Sequence, residues 1–586
     1  MTATPEPSAT LFSGGTIWSA GAPDAEALLV VDGLVAAIGA EAVAAHPVVV
    51  AAEAGSEDGI DIERVDLADG FLAPSFGDGH AHPLFGGLEN AGPRIRGLGS
   101  IDAIVAEVRR FADANPVAAA DGAPVDPANP DGWIVGASYD GSLAPGGLFD
   151  ARWLDAAVPD RPVVLRAWDY HTVWCNSRAL ELAGIDTETP EPAIGEIPRR
   201  DDGSPLGVLR EWGAVDLVMA VCPPLSEEVR LRALADAVAY FRENGVTWVQ
   251  DAWVDPADAR TYVEASRRGL LGVRFNLAFY ADPRHFASQF GGFLAVRAEI
   301  EALGDDRLTA HTVKFFADGV IENETGALLQ PYCSGAHDHG MQVWDADQLA
   351  EAVRIVDEAG FQVHIHAIGD AAVRMALDAL EAAARENGPR GARDGDAAGA
   401  SGSVGPASER RHVIAHAQLV DDADLDRFRA LGVTANMQPL WAQLDALMTE
   451  LTIPRLGELR AERQYRMRTL IDGGGHLSFG SDWPCSSGDP REGLAVAVSR
   501  QTDDGVPAEG WTPHELLTGD EALTAYTAAV AHQAFADLTA APWGRIEVGA
   551  RADLVWLDVD PRSAGAAGIR ASRIRASYLD GVAWRG

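Results

Sequence analysis

Residues 345–369, DADQLAEAVRIVDEAGFQVHIHAIG, join two local patterns. The first part, 345–360, sets Ala and acidic residues among spaced Leu, Val and Ile and reads as a helix. The second, FQVHIHAIG, is a short β-branched and aromatic run and reads as a strand. The pairing recurs along the chain. WIVGAS, PVVLRAW, VTWVQDA, GVRFNLAFY, LTAHTVKFF, RHVIAHAQL, GVTANMQP and HLSFGSD read as further strands, and IDAIVAEVRRFADAN, SEEVRLRALADAVAYFRENG and DDADLDRFRALG as further helices. Repeated strand–helix units imply a parallel sheet, and this many favour a closed α/β barrel of the (β/α)8 TIM type. Extra strands near 130–215 predict an insertion, spanning roughly 95–225. The Gly/Ala/Ser-rich run 386–410 reads as a mobile loop.

The two ends share a different style. Residues 11–50 contain LFSGGTIWS and ALLVVDGLVAAIG, and Asp32-Gly33 between β-rich runs signals a hairpin. From Gly544 onward, GRIEVGARADLVWLD and SRIRASYLDGVAWRG repeat the pattern. The expectation is one small β-sandwich domain assembled from 1–70 and 544–586, with the barrel over 71–543.

Charge narrows the partners. The net charge is −41, which argues against nucleic acid and anionic membrane surfaces, since both need a positive footprint. No basic n-region opens the chain and no run of 18 apolar residues occurs, so neither a signal peptide nor a membrane span is expected. Four dispersed cysteines form no CxxC pair, which fits a reducing, cytoplasmic setting. A small-molecule substrate is expected, with a homodimer admitted as the assembly.

Histidines gather at predicted strand ends. His80 and His82 in APSFGDGHAHP lie one residue apart, so a strand would point both to one face. In FQVHIHAIG, His366 lies nearer the C-terminal end, where barrel sites are built, and His364 lies deeper. The same rule selects His416 over His412 in RHVIAHAQL. Asp482 follows the strand in HLSFGSDWP; taken singly, it reads as a loop carboxylate capping the next helix. Together these residues offer nitrogen and oxygen donors for a divalent metal.

The motifs GFLAPSFGDGHAHP, DYHTVWCNSRAL, VKFFADG, VHIHAIGDAAV, HAQLV, NMQP, LSFGSDWP and GRIEVGARADLVWLD, in this order, resemble the amidohydrolase superfamily. Within it the chain is similar to the YtcJ-like amidohydrolases, which include N-substituted formamide deformylase. The resemblance implies a metal-dependent barrel holding one or two Zn²⁺ ions on His80, His82, His366, His416 and Asp482, with Lys314 as a further ligand. It implies that Asp482 is the proton shuttle and that His171 in the insert motif binds substrate or stabilises an oxyanion. A lysine at the end of the fourth barrel strand can be carboxylated in such enzymes and bridge two metals.

Lys314 matches that position by order, and it is the only lysine in 586 residues. Arginine cannot replace it, because a guanidinium stays protonated and offers no lone pair. Two positions depart from the pattern: Ala415 stands where related sequences often have Glu, and Trp441 where they often have His. Asp318, Glu322 and Glu324 follow the lysine strand and are candidates to line the pocket. The activity expected is hydrolysis of a C–N bond in an amide, N-formyl compound or cyclic amide by metal-activated water. Deamination or C–O (ester) hydrolysis on the same site is the alternative, and an inactive scaffold ranks last.

Overall fold

The computed structural model describes residues 8–54, 61–117, 129–192, 194–334, 338–389 and 409–584. Most of the run 386–410, read as a mobile loop, lies outside them.

Eight parallel strands form the centre: β1 (Phe76–Ala81), β2 (Val246–Val254), β3 (Arg274–Tyr280), β4 (Leu308–Phe316), β5 (Gln362–Ala367), β6 (Val413–His416), β7 (Thr434–Met437) and β8 (His476–Phe479). Each pairs with the next, and the seam between β8 and β1 is closed just beyond the strands. There Asp482 N–H donates to His80 O at 2.7 Å, and His82 N–H donates to Trp483 O at 2.6 Å. The fold is a (β/α)8 barrel. Its strands are buried on both faces, which is why they read as short apolar runs rather than alternating ones. Outward residues such as Val313, Phe315, Val363 and Ile365 pack into the large core beneath the helices.

The helices start where the sequence supplies acceptors. Ser100 caps Ile101–Ala114, Ser226 caps Glu227–Glu243, and Asp345 caps Ala346–Glu358, each accepting from backbone N–H groups of the first turn. The stretch DDADLDRFRALG forms a shorter helix than its composition suggests, Leu425–Leu431. Asp421 Oδ1 accepts from Ala423 N–H at 3.1 Å, a local turn that competes with helix.

Below the site the barrel is plugged by polar side chains bonded to one another. Asn276 Nδ2 donates to Gln250 Oε1 and to Thr312 Oγ1, both at 2.8 Å. Thr312 Oγ1 donates to Gln362 Oε1 at 3.0 Å, and Gln362 Nε2 donates to the carbonyls of Arg411 and Gln533. Buried amides and hydroxyls are tolerated there because each finds a partner.

Two further sheets flank the barrel. Between β1 and β2 the chain builds a four-stranded sheet from Ile134–Tyr139, Val163–Ala167, Thr172–Cys175 and Val208–Arg210. Strands from both ends of the chain form the other. Ala9–Ile17, Ala25–Val31, Leu34–Ile38, Ile62–Asp66 and Phe71–Pro74 join Leu554–Leu557, Ile574–Leu579 and Val582–Trp584, and Leu554–Leu557 runs antiparallel to Phe71–Pro74. The hairpin at Asp32-Gly33 has positive φ at both residues, 50° and 78°, as a two-residue turn of this kind requires.

Arg274 on β3 fastens this sheet to the barrel by pairing with Asp553 and Asp580. Asp553 is buried, so removing its partner strands a charge. Arg274→Leu is expected to cost about 3–5 kcal/mol of unfolding free energy. Adding Asp553→Leu should recover most of it, as read from urea unfolding midpoints. An unchanged midpoint in the single variant would show that the pair carries no such weight.

Candidate metal centre

The donor atoms of His80, His416 and Asp482 lie within 4.8 Å of one another, all buried, at the C-terminal mouth of the barrel. His82 Nε2 approaches Asp482 Oδ1 to 2.9 Å and His80 Nε2 stands 3.4 Å from the same oxygen. Asp482 Oδ1 is buried, and no donor among the described residues is aligned on it. An ionised oxygen crowded by imidazole nitrogens fits a shared cation better than it fits a hydrogen-bonded cluster.

Backbone conformation aims these groups. In strand register Ala415 pairs with His366 and therefore shares the interior face, which would leave His416 pointing outward. His416 instead adopts φ 71° and Ala417 φ 42°, and the left-handed step turns the imidazole into the site. Asp482 is left-handed too, with φ 56°.

Neighbouring side chains hold the rings in place. His80 Nδ1 lies 2.9 Å from His364 Nε2, and His416 Nδ1 lies 2.7 Å from Gln438 Oε1. With Nδ1 engaged, each ring turns Nε2 toward the centre, the arrangement that orients histidine ligands in metal sites. His364 is thus a buried support beneath the cluster. Gln438 in turn donates to Asn436 Oδ1 at 3.0 Å. His366 is arranged the other way: its Nε2 lies 3.0 Å from Gly319 O, which leaves Nδ1 as the lone pair it can offer. Its ring centroid is 4.6 Å from that of His416. Burial, and after it neighbouring charge, holds His80 and His366 well below the ordinary imidazole pKa. Burial likewise takes His416 to about 3, so all three stay neutral, as ligation requires.

Lys314 on β4 is fully buried, and its Nζ lies 3.3 Å from His80 Nε2. Among the described residues no carboxylate comes within ion-pair distance of it. Burial brings its pKa down to about 7.

His171 faces the cluster from the insert, its ring centroid 5.2 Å from that of His366. Glu211 Oε2 accepts from its Nδ1 at 2.8 Å, and Thr325 Oγ1 donates to Glu211 Oε1 at 2.5 Å. Burial alone would lower the His171 pKa, but the Glu211 carboxylate outweighs it and raises it. Glu211 was not visible as a site residue in sequence. Its only signal is its place directly after the short strand Val208–Arg210, 40 residues from its partner. Gln438 stood in the NMQP motif with no role attached.

A cavity of about 390 Å³ opens from the cluster and is lined by Tyr139, Trp168, His171, Trp441, Met448 and Asp482 among others. Glu322 lines it as well. Asp318 instead accepts backbone N–H groups from Ala327, Ile368 and Gly369. Glu324 pairs with Arg455. Trp441, one of the two unusual positions, lies flat on His416 with centroids 5.3 Å apart and planes at 14°. Ala415, the other, is buried beside Asn436 on β7.

Comparison with known proteins places this geometry. The amidohydrolase family profile matches residues 63–583, and the chain belongs to that family. It is 26% identical to the putative amidohydrolase YtcJ of Bacillus subtilis over 523 residues, covering 89% of this chain and 90% of that protein. It is 26% identical to N-substituted formamide deformylase of Arthrobacter pascens over 574 residues, covering 95% and 94%. A metal-dependent hydrolase structure from Pyrococcus horikoshii superposes with a TM-score of 0.69 at 24% identity, covering 95% of this chain and 98% of that one, and shares the fold.

The Glu211–His171 contact has a direct readout. Glu211→Gln removes the charge that outweighs burial, so the His171 pKa should fall from above the ordinary ~6.5 to below it. Ring-proton NMR titration of the metal-free protein measures this. An unmoved His171 titration would show that Glu211 does not hold the proton.

Proposed function

We propose that this chain is a metal-dependent hydrolase that cleaves a C–N bond in an amide, N-formyl compound or cyclic amide of a small molecule. The observation that carries the reading is Asp482 Oδ1, buried amid His80, His82 and His416 with no aligned donor among the described residues, and the His171–Glu211 pair across the same cavity. The relative named as a formamide deformylase, covered over nearly its whole length, supports the choice of bond.

His80, His82, His366, His416 and Asp482 would hold the ion, with Lys314 beside them. The nitrogen-and-oxygen donor set suits Zn²⁺. When bound, the ion supplies positive charge that polarises a carbonyl and brings the pKa of a water toward ~7.

The protein groups do the rest. Burial would raise the Asp482 pKa, but the close approach of His82 and the nearby Lys314 draw it below the ordinary carboxylate value. Asp482 therefore stays ionised, accepts a proton from the attacking water and delivers it to the departing nitrogen. His171, whose pKa the Glu211 carboxylate raises, donates toward the oxygen that gains negative charge. The aromatic walls of the cavity limit water around that charge, which strengthens both effects.

Lys314 has a separate assignment. Among the described residues it has no carboxylate within ion-pair distance, and near neutral pH much of it is the free amine. The amine nitrogen attacks the carbon of CO2, one N–H proton passes to solvent, and a carbamate results whose single negative charge is shared by two oxygens. Such a group would lessen the repulsion between neighbouring dications where an ammonium would add to it.

Two measurements bear on this. Chelation should abolish hydrolysis of a formamide and amide panel and added Zn²⁺ should restore it, while Asp482→Asn should lower kcat by at least ~10²-fold. A variant with near-normal turnover would reduce Asp482 to a loop cap. For Lys314, protein loaded in ¹³C-bicarbonate should show a single carbamate carbonyl signal that Lys314→Ala lacks. A wild-type spectrum without that signal would leave a site built on the histidines and Asp482.

A further inference from the structure

Two carboxylates lining the cavity beside the candidate ligand cluster, Glu322 and Asp445, have no basic side chain within ion-pair distance among the described residues. Glu322 sits on the turn Ile321–Asn323 that follows β4 and lines the cavity, half-buried. Its Oε1 accepts from the Thr452 hydroxyl at 2.5 Å, and among the described residues no basic side chain lies within ion-pair distance. Asp445 on the same wall caps Met448 N–H at 2.8 Å and also lacks a basic partner among the described residues. Among the described residues Arg96 is the one arginine lining the cavity, and it is already engaged. Its Nε donates to Glu89 Oε2 at 2.9 Å, and its Nη2 to Glu89 Oε1 at 2.6 Å and Ser138 Oγ at 2.8 Å. An anionic substrate would therefore meet carboxylates and no free guanidinium.

Two further observations point to an occupant. Tyr139 lines the cavity, is 1% exposed, and its hydroxyl has no hydrogen-bond partner among the described residues. A buried hydroxyl left unpaired is costly unless a ligand group completes it. Trp168 and Trp441 present aromatic surface to the same space, and aromatic faces attract cations. The turn is also fixed relative to the reacting groups. Asn323 Nδ2 donates to Thr172 Oγ1 at 3.1 Å and Asp169 Oδ2 at 3.3 Å, which ties the Glu322 turn to the segment carrying His171.

We propose that Glu322 sets the specificity of this cavity by binding a protonated amine or guanidinium on the substrate, at a position remote from the bond that is cleaved. The bond itself rests on the amide-hydrolase reading above; the charge preference does not. The field of a chain with net charge −41 also favours the approach of a cation.

Three formamides of matched length separate the possibilities: neutral N-formylhexylamine, cationic N-formyl-1,5-diaminopentane and anionic N-formyl-5-aminopentanoate. Each is offered to the zinc-loaded protein. Turnover is compared where it occurs, and calorimetric binding of the same compounds where it does not. The cation should be preferred over the neutral compound by about tenfold or more, the worth of one charge-assisted contact, with the anion weakest. Glu322→Gln should collapse the cation-to-neutral ratio toward one. Equal preference, preference for the anion, no detectable binding of the cation, or a ratio unmoved by Glu322→Gln would each overturn the proposal. Binding with the predicted ratio but no hydrolysis of any formamide would uphold it and count against the amide-hydrolase reading instead.

Discussion

The β8–β1 seam does two jobs with one set of atoms. The main-chain bonds from Asp482 N–H to His80 O and from His82 N–H to Trp483 O join the last strand to the first. They also fix the spacing of three candidate ligands, because those ligands are the bonded residues. Asp78 reinforces the joint from below, accepting from His80 N–H and Ser481 N–H and from the Ser481 hydroxyl. Barrel closure and site assembly are therefore a single event. A defect at the seam would open the sheet and scatter the ligands together, since an unclosed barrel leaves two strand edges unpaired.

The seam also explains the electrostatics. Burial at the mouth favours neutral imidazoles, and the Nδ1 partners turn Nε2 of His80 and His416 inward. Asp482 Oδ1 lies 2.9 Å from His82 Nε2 and 3.4 Å from His80 Nε2, so one carboxylate oxygen is shared between two imidazoles. The positive φ values at His416, Ala417 and Asp482 point the same way. Backbone strain at two candidate ligands and at the residue following one of them persists only where surrounding structure enforces it.

The barrel was legible because local composition and global order agree. Short runs such as FQVHIHAIG cannot be told from buried helix by periodicity, but their regular spacing between helices resolves them. Position along a strand separated His366 from His364, and the structure places the first beside His416 and the second under His80. What sequence could not show was any contact made by a turn. His416 points inward through a left-handed step that alternation does not anticipate. Glu211 meets His171 only because the insert folds back on itself, and no spacing rule spans that distance. Helix Leu425–Leu431 came out short because Asp421 competes for a backbone amide, an effect invisible to composition.

The fully buried position of Lys314 has a consequence for the outside of the molecule. With the only lysine sealed inside, every positive side chain on the folded surface other than histidine is a guanidinium. Acetylating or ubiquitin-conjugating enzymes, acylating reagents and aldehydes that form Schiff bases with lysine find no target side chain there. The surface ion pairs also hold their charge into strongly alkaline solution. A lysine ammonium is lost near pH ~10.4, whereas a guanidinium survives beyond pH ~12. An alkaline medium that would strip half the charge from an ordinary lysine-bearing surface leaves this one intact.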